Sequence, residues 1–270
     1  MQDNFLSIQK RYWNTLASSI QNDVAVTHCV DENNKAVGEV LFEEIAVFLK
    51  NEFLEGKNNA NILEIGCGNG LILKYLNKIK GQRYNLFGCD LSEQMLARIL
   101  LDKVSVYCTE ASNIPCENEK FDLVYMNTVV QYFDNQEYLA KVLKECLRIL
   151  KPGGGLCIMD VPCKWYEEYM SSNDLIAKVR RKIARFAEKW CKSFLEKHRK
   201  SRTVINENVH GVFITAPAFR GLYTDPDTFF AYKPYFEHVS VEVQPFKYKP
   251  LVYRKFRFNI LMKGKKNDNI

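Results

Sequence analysis

The chain of 270 residues is 47% hydrophobic and 13% aromatic, values of a packed globular protein that exclude a disordered one. No apolar run reaches the ~18 residues that a membrane span needs. Net charge is +6 but uneven: residues 171–202 hold eleven Lys and Arg against three Asp and Glu, so basicity belongs to one segment and a general nucleic-acid surface is not implied.

Taken in chain order, "GEVLFEEIAVFLKNEF" (38–53) carries apolar residues at amphipathic-helix spacing. "ANILEI" reads as a first strand and "NGLILKYLNKI" as the helix packed beside it. "YNLFGCD" is a second strand, followed by "SEQMLARILL", in which Ser92 is a candidate N-cap. "VSVYCTE" and "FDLVYMN" read as the third and fourth strands, with Asp122 a structural start to the latter. "NQEYLAKVLKECLRILK" is a helix closed by Pro152 and three glycines, and "GLCIMDVP" is a fifth strand.

The rhythm breaks after residue 160. "LIAKVRRKIARFAEKWCKSFLEKHRK" reads as a long basic helix with an apolar stripe, and "DPDTFFAYK" starts another helix. "EHVSVEVQPF" and "VYRKFRFNILMK" alternate like an antiparallel pair. Strands alternating with helices at this spacing predict a doubly wound α/β sheet. The expected parts are a helical cap (1–55), a Rossmann-like core (56–160), a helical lid inserted after the fifth strand (161–222), a closing helix and strand pair (223–263) and a tail (264–270).

Nine cysteines form no C-x-x-C pair, and the opening "MQDNFLSIQKRYW" has no apolar signal core. A reduced, cytoplasmic protein without structural zinc is expected.

In a doubly wound sheet, ligands bind beyond the carboxyl ends of the strands, where strand order reverses. The first strand ends in Glu64 and the alternate glycines Gly66, Gly68 and Gly70 of "NILEIGCGNG". Leu71 stands where a dinucleotide fingerprint wants its third glycine. The second strand ends in Asp90, a carboxylate able to accept from ribose hydroxyls; the third ends at Glu110 and Ala111, the fourth at Asn127. No second glycine cradle exists for a pyrophosphate, so the site suits a nucleoside without phosphates.

At this point the chain resembles the class I S-adenosylmethionine-dependent methyltransferases. The resemblance rests on "LEIGCGNG", "GCDLSEQML", "TEASNIPCENEKFDLVYMNTVVQYF" and "LRILKPGGGLCIMD", in that family's order. It implies a seven-stranded sheet, mostly parallel with one antiparallel strand and with helices on both faces, and S-adenosylmethionine as cofactor. It further implies that the Gly66–Gly70 turn approaches the methionine part, so that a side chain at Gly66 would fill space the cofactor needs, with Glu64 organising the loop. Asp90 would hold the ribose and Leu91 the adenine, with Glu110 and Ala111 near the adenine amino group. "RYWNTLA" (11–17) resembles the aromatic segment that closes over the cofactor, making Tyr12 a candidate contact.

The acceptor is read mainly by exclusion. "NTVVQYF" lacks the prolines of the nucleic-acid amine motif, "DVPC" carries only part of the cytosine-carbon signature, and Asp160-Val161 replaces the Asp-Asn pair of metal-dependent enzymes. No metal is expected. A small molecule remains, read as a sugar, phosphorylated or nucleotide-linked, methylated on a hydroxyl; the chain looks like bacterial enzymes of that kind. Substrate-side candidates are Gln131, Tyr132, Trp165, Arg181 and Arg185. A hydroxyl must lose its proton, which nominates His210 as base, with Asp160 and His28 next. Two other readings stand beside this one: a tRNA methyltransferase docked through the basic helix, and a non-catalytic cofactor-binding platform.

Overall fold

The structure is a computed structural model that describes residues 5–19, 23, 35–81, 83–163, 222–243 and 257–267. Trp165, Arg181, Arg185, His28 and His210, the basic helix and nearly all of the expected lid lie outside the described residues.

Seven strands form one sheet: β1 (Ala60–Ile65), β2 (Tyr84–Asp90), β3 (Val104–Cys108), β4 (Phe121–Asn127), β5 (Leu150–Pro162), β6 (Phe236–Val243) and β7 (Arg257–Lys265). Their order is β3-β2-β1-β4-β5-β7-β6. Pairing is parallel from β3 through β5, and β7 runs antiparallel to both of its neighbours. The doubly wound sheet with one antiparallel strand is therefore present as expected.

The period-two alternation of strand side chains explains the two cores. On β4, Val124 and Met126 join the core under helix α5 (Gln136–Ile149), while Leu123 and Tyr125 join the other. That second core is covered by α2 (Lys35–Leu49), which continues as a π-turn over Lys50–Leu54, and by α3 (Leu71–Asn77). Both faces are buried, which is why β1, β4 and β5 read as apolar runs rather than alternating ones. Helix α1 (Phe5–Ser19) lies apart from these layers and packs on α4 (Glu93–Leu96) through Leu16, Ala17 and Met95.

Several boundaries differ from expectation. The helix expected to run to Pro152 stops at Ile149, because Leu150 already pairs with Phe121; Pro152 and the glycines belong to β5. The helix expected over 92–101 is the single turn α4, although Ser92 caps it as anticipated, accepting from the Met95 amide at 3.1 Å. "DPDTFFAYK" yields one short helix, α6 (Asp227–Phe230), then a 3₁₀ turn over Lys233–Tyr235, where Pro234 interrupts α-helical bonding. Asp122 is structural, accepting from the Asn61 amide at 2.9 Å and from Lys151 at 2.7 Å.

Candidate functional site

Strand order reverses between β1 and β4, with β2 on one side and β5 on the other. A cleft opens there at the carboxyl ends of the strands, where a doubly wound sheet binds its ligand.

Its floor is built by the turn after β1. Gly66 and Cys67 donate their amides to the Cys89 carbonyl at 2.7 and 3.0 Å, folding the turn over the end of β2. That path needs positive φ at Gly66 (69°) and Gly68 (53°), which glycine adopts without a Cβ penalty. A side chain at Gly66 would strike Val129, its Cβ landing 2.5 Å from Cγ2. The nearest protein obstacle is thus the Val129 side chain, itself part of the cleft wall. The Cβ position at Gly68, by contrast, has nothing within 4 Å.

Asp90 ties the floor together, accepting from the Gly68 amide at 2.8 Å and the Ser92 amide at 2.9 Å, one on each carboxylate oxygen. The carboxylate keeps acceptor capacity for a ligand hydroxyl. Burial pushes the Asp90 carboxyl above its usual value, and these amides, with that of Leu91, oppose the rise. Glu64 is buried beneath the turn and accepts from the Tyr125 hydroxyl at 3.0 Å. Burial holds its carboxyl well above the ordinary range, with the Tyr125 hydrogen bond pulling it down, the Asp90 charge adding to the rise and the Leu73 amide opposing it.

The walls bring together most of the described residues anticipated from the sequence: Leu91, Ala111, Asn127 and Tyr132 line the cleft beside Glu64, Gly66, Gly68 and Asp90. Four anticipated residues lie outside its lining. Glu110 instead accepts from the Tyr138 hydroxyl at 3.4 Å, and the Gln131 carbonyl takes the Leu222 amide at 3.1 Å. Tyr12 packs edge-on against Trp13, in the cluster with Leu16 and Met95. It is Trp13, one position along the helix, that faces the cleft and meets Tyr132 edge-on at 5.3 Å between ring centres.

Asp160 is the fourth. Its carboxylate is buried, accepts from the Thr128 hydroxyl at 2.9 Å and pairs with Arg257 at 3.1 Å. A bulge against β7 between Ile158 and Val161 turns it there, with φ at 62°. A carboxylate held this way positions Thr128, itself strained at φ 62° and part of the cleft wall.

Residues the sequence reading missed are Gln9, Trp13, Thr128, Phe133 and Tyr138. Leu6, Gln9 and Trp13 stand three and four apart, so helical spacing places them on one face of α1. That spacing was legible; which face meets the cleft was not.

The cleft fits a nucleoside cofactor with a cationic amino-acid end. Asp90 can take ribose hydroxyls, the turn leaves open space over Gly68, and the Asn127 Oδ1 is buried without a hydrogen-bond partner. Residues 63–158 match the family described as Methyltransferase domain. This segment is a class I methyltransferase domain.

S-adenosylmethionine is the cofactor of the domain. Among curated relatives, the chain is 26% identical over 193 residues to the sterol 4-C-methyltransferase strm-1 of Caenorhabditis elegans, covering 65% of this chain and 57% of that protein. It is 31% identical over 112 residues to the chondramide synthase cmdD of Chondromyces crocatus, covering 37% of this chain and only 3% of that protein. The chain thus spans little more than half of the one relative and a small part of the other. Among solved structures, the geranyl diphosphate C-methyltransferase of Streptomyces coelicolor A3(2) superposes with a TM-score of 0.57 at 14% identity, covering 98% of this chain and 99% of that one. A phosphoethanolamine N-methyltransferase of Haemonchus contortus gives 0.58 at 12% identity, covering 98% and 50%. At those identities the likeness establishes the fold of the methyltransferase domain.

Proposed function

We propose that the chain transfers a methyl group from S-adenosylmethionine to a small acceptor with an apolar or aromatic body. The observation that carries this is the cleft wall: Trp13, Tyr132, Phe133 and Tyr138 contribute aromatic rings, and no Lys, Arg or His stands among the described lining residues. Aromatic faces bury a flat or greasy acceptor and attract a cationic donor, each favourable contact being worth about 0.5–2 kcal/mol. A phosphorylated sugar, as read from the sequence, would need basic partners, and Arg181 and Arg185 lie outside the described residues.

The cofactor, when bound, supplies a methyl group on a cationic sulfur. The chain's part is to hold the acceptor in line with that methyl in a dry cleft. Asp90 and the turn at Gly66 and Gly68 fix the donor's position, and α1 roofs the site through Leu6, Gln9 and Trp13. Glu64 is engaged by Tyr125, and Asp160 by Thr128 and Arg257. For a hydroxyl acceptor, His210 and His28 therefore remain the bases we propose; a neutral amine needs none before transfer, whereas a carbon acceptor must release a proton to a base or to water once the methyl is added.

Transfer of labelled methyl from the cofactor to a sterol, a phenol, a sugar phosphate and a tRNA tests this. Turnover of the sterol or phenol supports it. Turnover confined to the sugar phosphate, or to tRNA, refutes the apolar acceptor. The tRNA arm is included because the chain is 31% identical over 142 residues to a tRNA (carboxymethyluridine(34)-5-O)-methyltransferase of Arabidopsis thaliana. Failure to bind S-adenosylmethionine in calorimetry would overturn methyl transfer altogether.

A further inference from the structure

Gln9 is 4% exposed in the middle of α1, and its Oε1 is buried without a hydrogen-bond partner. It lines the same cleft as Asn127, whose Oδ1 is likewise buried and unpartnered. Two orphaned amide oxygens on residues that line one cavity are costly in a ligand-free fold, on the order of 1–3 kcal/mol each. Such groups persist where a ligand satisfies them. The cleft's other polar groups include the Asp90 carboxylate, so its lining favours a ligand that brings hydrogens.

We propose that Gln9 is a cofactor-contacting residue: its Oε1 accepts hydrogens from the cationic methionine end of bound S-adenosylmethionine. The inference rests on the methyltransferase reading above. It adds a consequence for the roof. The helix is latched to α4 by Asn14, which accepts from the Ser92 hydroxyl at 2.6 Å, and by Lys10, paired with Glu93 at 2.9 Å. Ser92 donates its amide to Asp90. The same helix thus reaches the cofactor at Gln9 and is anchored beside the ribose carboxylate through Asn14. Cofactor binding then stabilises α1 at both places.

The test is Gln9→Met in the full chain, probed by calorimetry with S-adenosylmethionine and with S-adenosylhomocysteine, alongside melting without either. Met replaces a buried unsatisfied amide by an apolar chain of similar length. The ligand-free variant is therefore expected to melt at the same temperature or higher, and to bind S-adenosylmethionine about tenfold more weakly. Equal weakening for both probes assigns the contact to the ammonium group they share; weakening for S-adenosylmethionine alone assigns it to the sulfonium methyl. Gln9→Glu keeps oxygen acceptors and is expected to bind within about threefold of the parent at neutral pH. A Gln9→Met variant that binds S-adenosylmethionine as the parent does, or that fails to fold without ligand, overturns the proposal. A parent that binds no S-adenosylmethionine instead overturns the functional reading beneath it.

Discussion

Gly66→Ala probes the turn through a contact that the structure locates on a single partner. The new Cβ would lie 2.5 Å from Val129 Cγ2 and 3.2 Å from Cγ1, at a residue whose φ is 69°. Holding alanine in the left-handed region costs about 1–2 kcal/mol. Forcing the overlap apart in a packed site costs about 1–3 kcal/mol more. The two effects separate in a double-mutant cycle. In a Val129→Ala background both clashing methyls are gone, so Gly66→Ala should retain only the backbone part, leaving a coupling of about 1–3 kcal/mol. Gly68→Ala is the internal control: with φ 53° and nothing within 4 Å of its Cβ, it should show the backbone part alone and no rescue by Val129→Ala. Urea denaturation of the single and double variants measures these quantities. A Gly66–Val129 coupling below about 0.5 kcal/mol would refute the steric argument.

Two further outcomes are expected. Burial raises the Asp90 carboxyl, so its contribution to the stability of the free protein is full at low pH and is lost as pH rises through the raised value. The cofactor needs the carboxylate, so cofactor affinity should change in the opposite sense, falling as the medium is acidified through that value. Calorimetric titrations across the mildly acidic range should show this fall in the parent and a flat, at least tenfold weaker profile in Asp90→Asn; an unchanged slope in the variant assigns the proton to another group, Glu64 first. Arg257→Met removes a cation that pairs at 3.1 Å with the Asp160 carboxylate, whose side chain is 0% exposed. Chemical denaturation should register a loss of about 3–5 kcal/mol, and a loss under about 1 kcal/mol would mean the pair is not sensed as buried.

The sequence by itself determined the strands and the floor of the site. The bounds of β1, β2 and β4 coincide with apolar runs, because a sheet buried on both faces needs such runs. Gly66, Gly68 and Asp90 were legible because turn geometry and a strand-end carboxylate are local requirements of the backbone. Only the tertiary structure decided what stands over that floor. Whether Tyr12 or Trp13 faces the cleft depends on how α1 is rotated, and that is fixed by distant partners at Ser92, Glu93 and Met95. Asp160 ends a strand at the cleft in the sequence, yet a bulge and Arg257, 97 residues away, turn it into a buried support for Thr128. Gln9 carries no local signal at all, since a glutamine in a helix is ordinarily a solvated residue. It becomes informative only when folding buries its amide oxygen, without a partner, against the cleft.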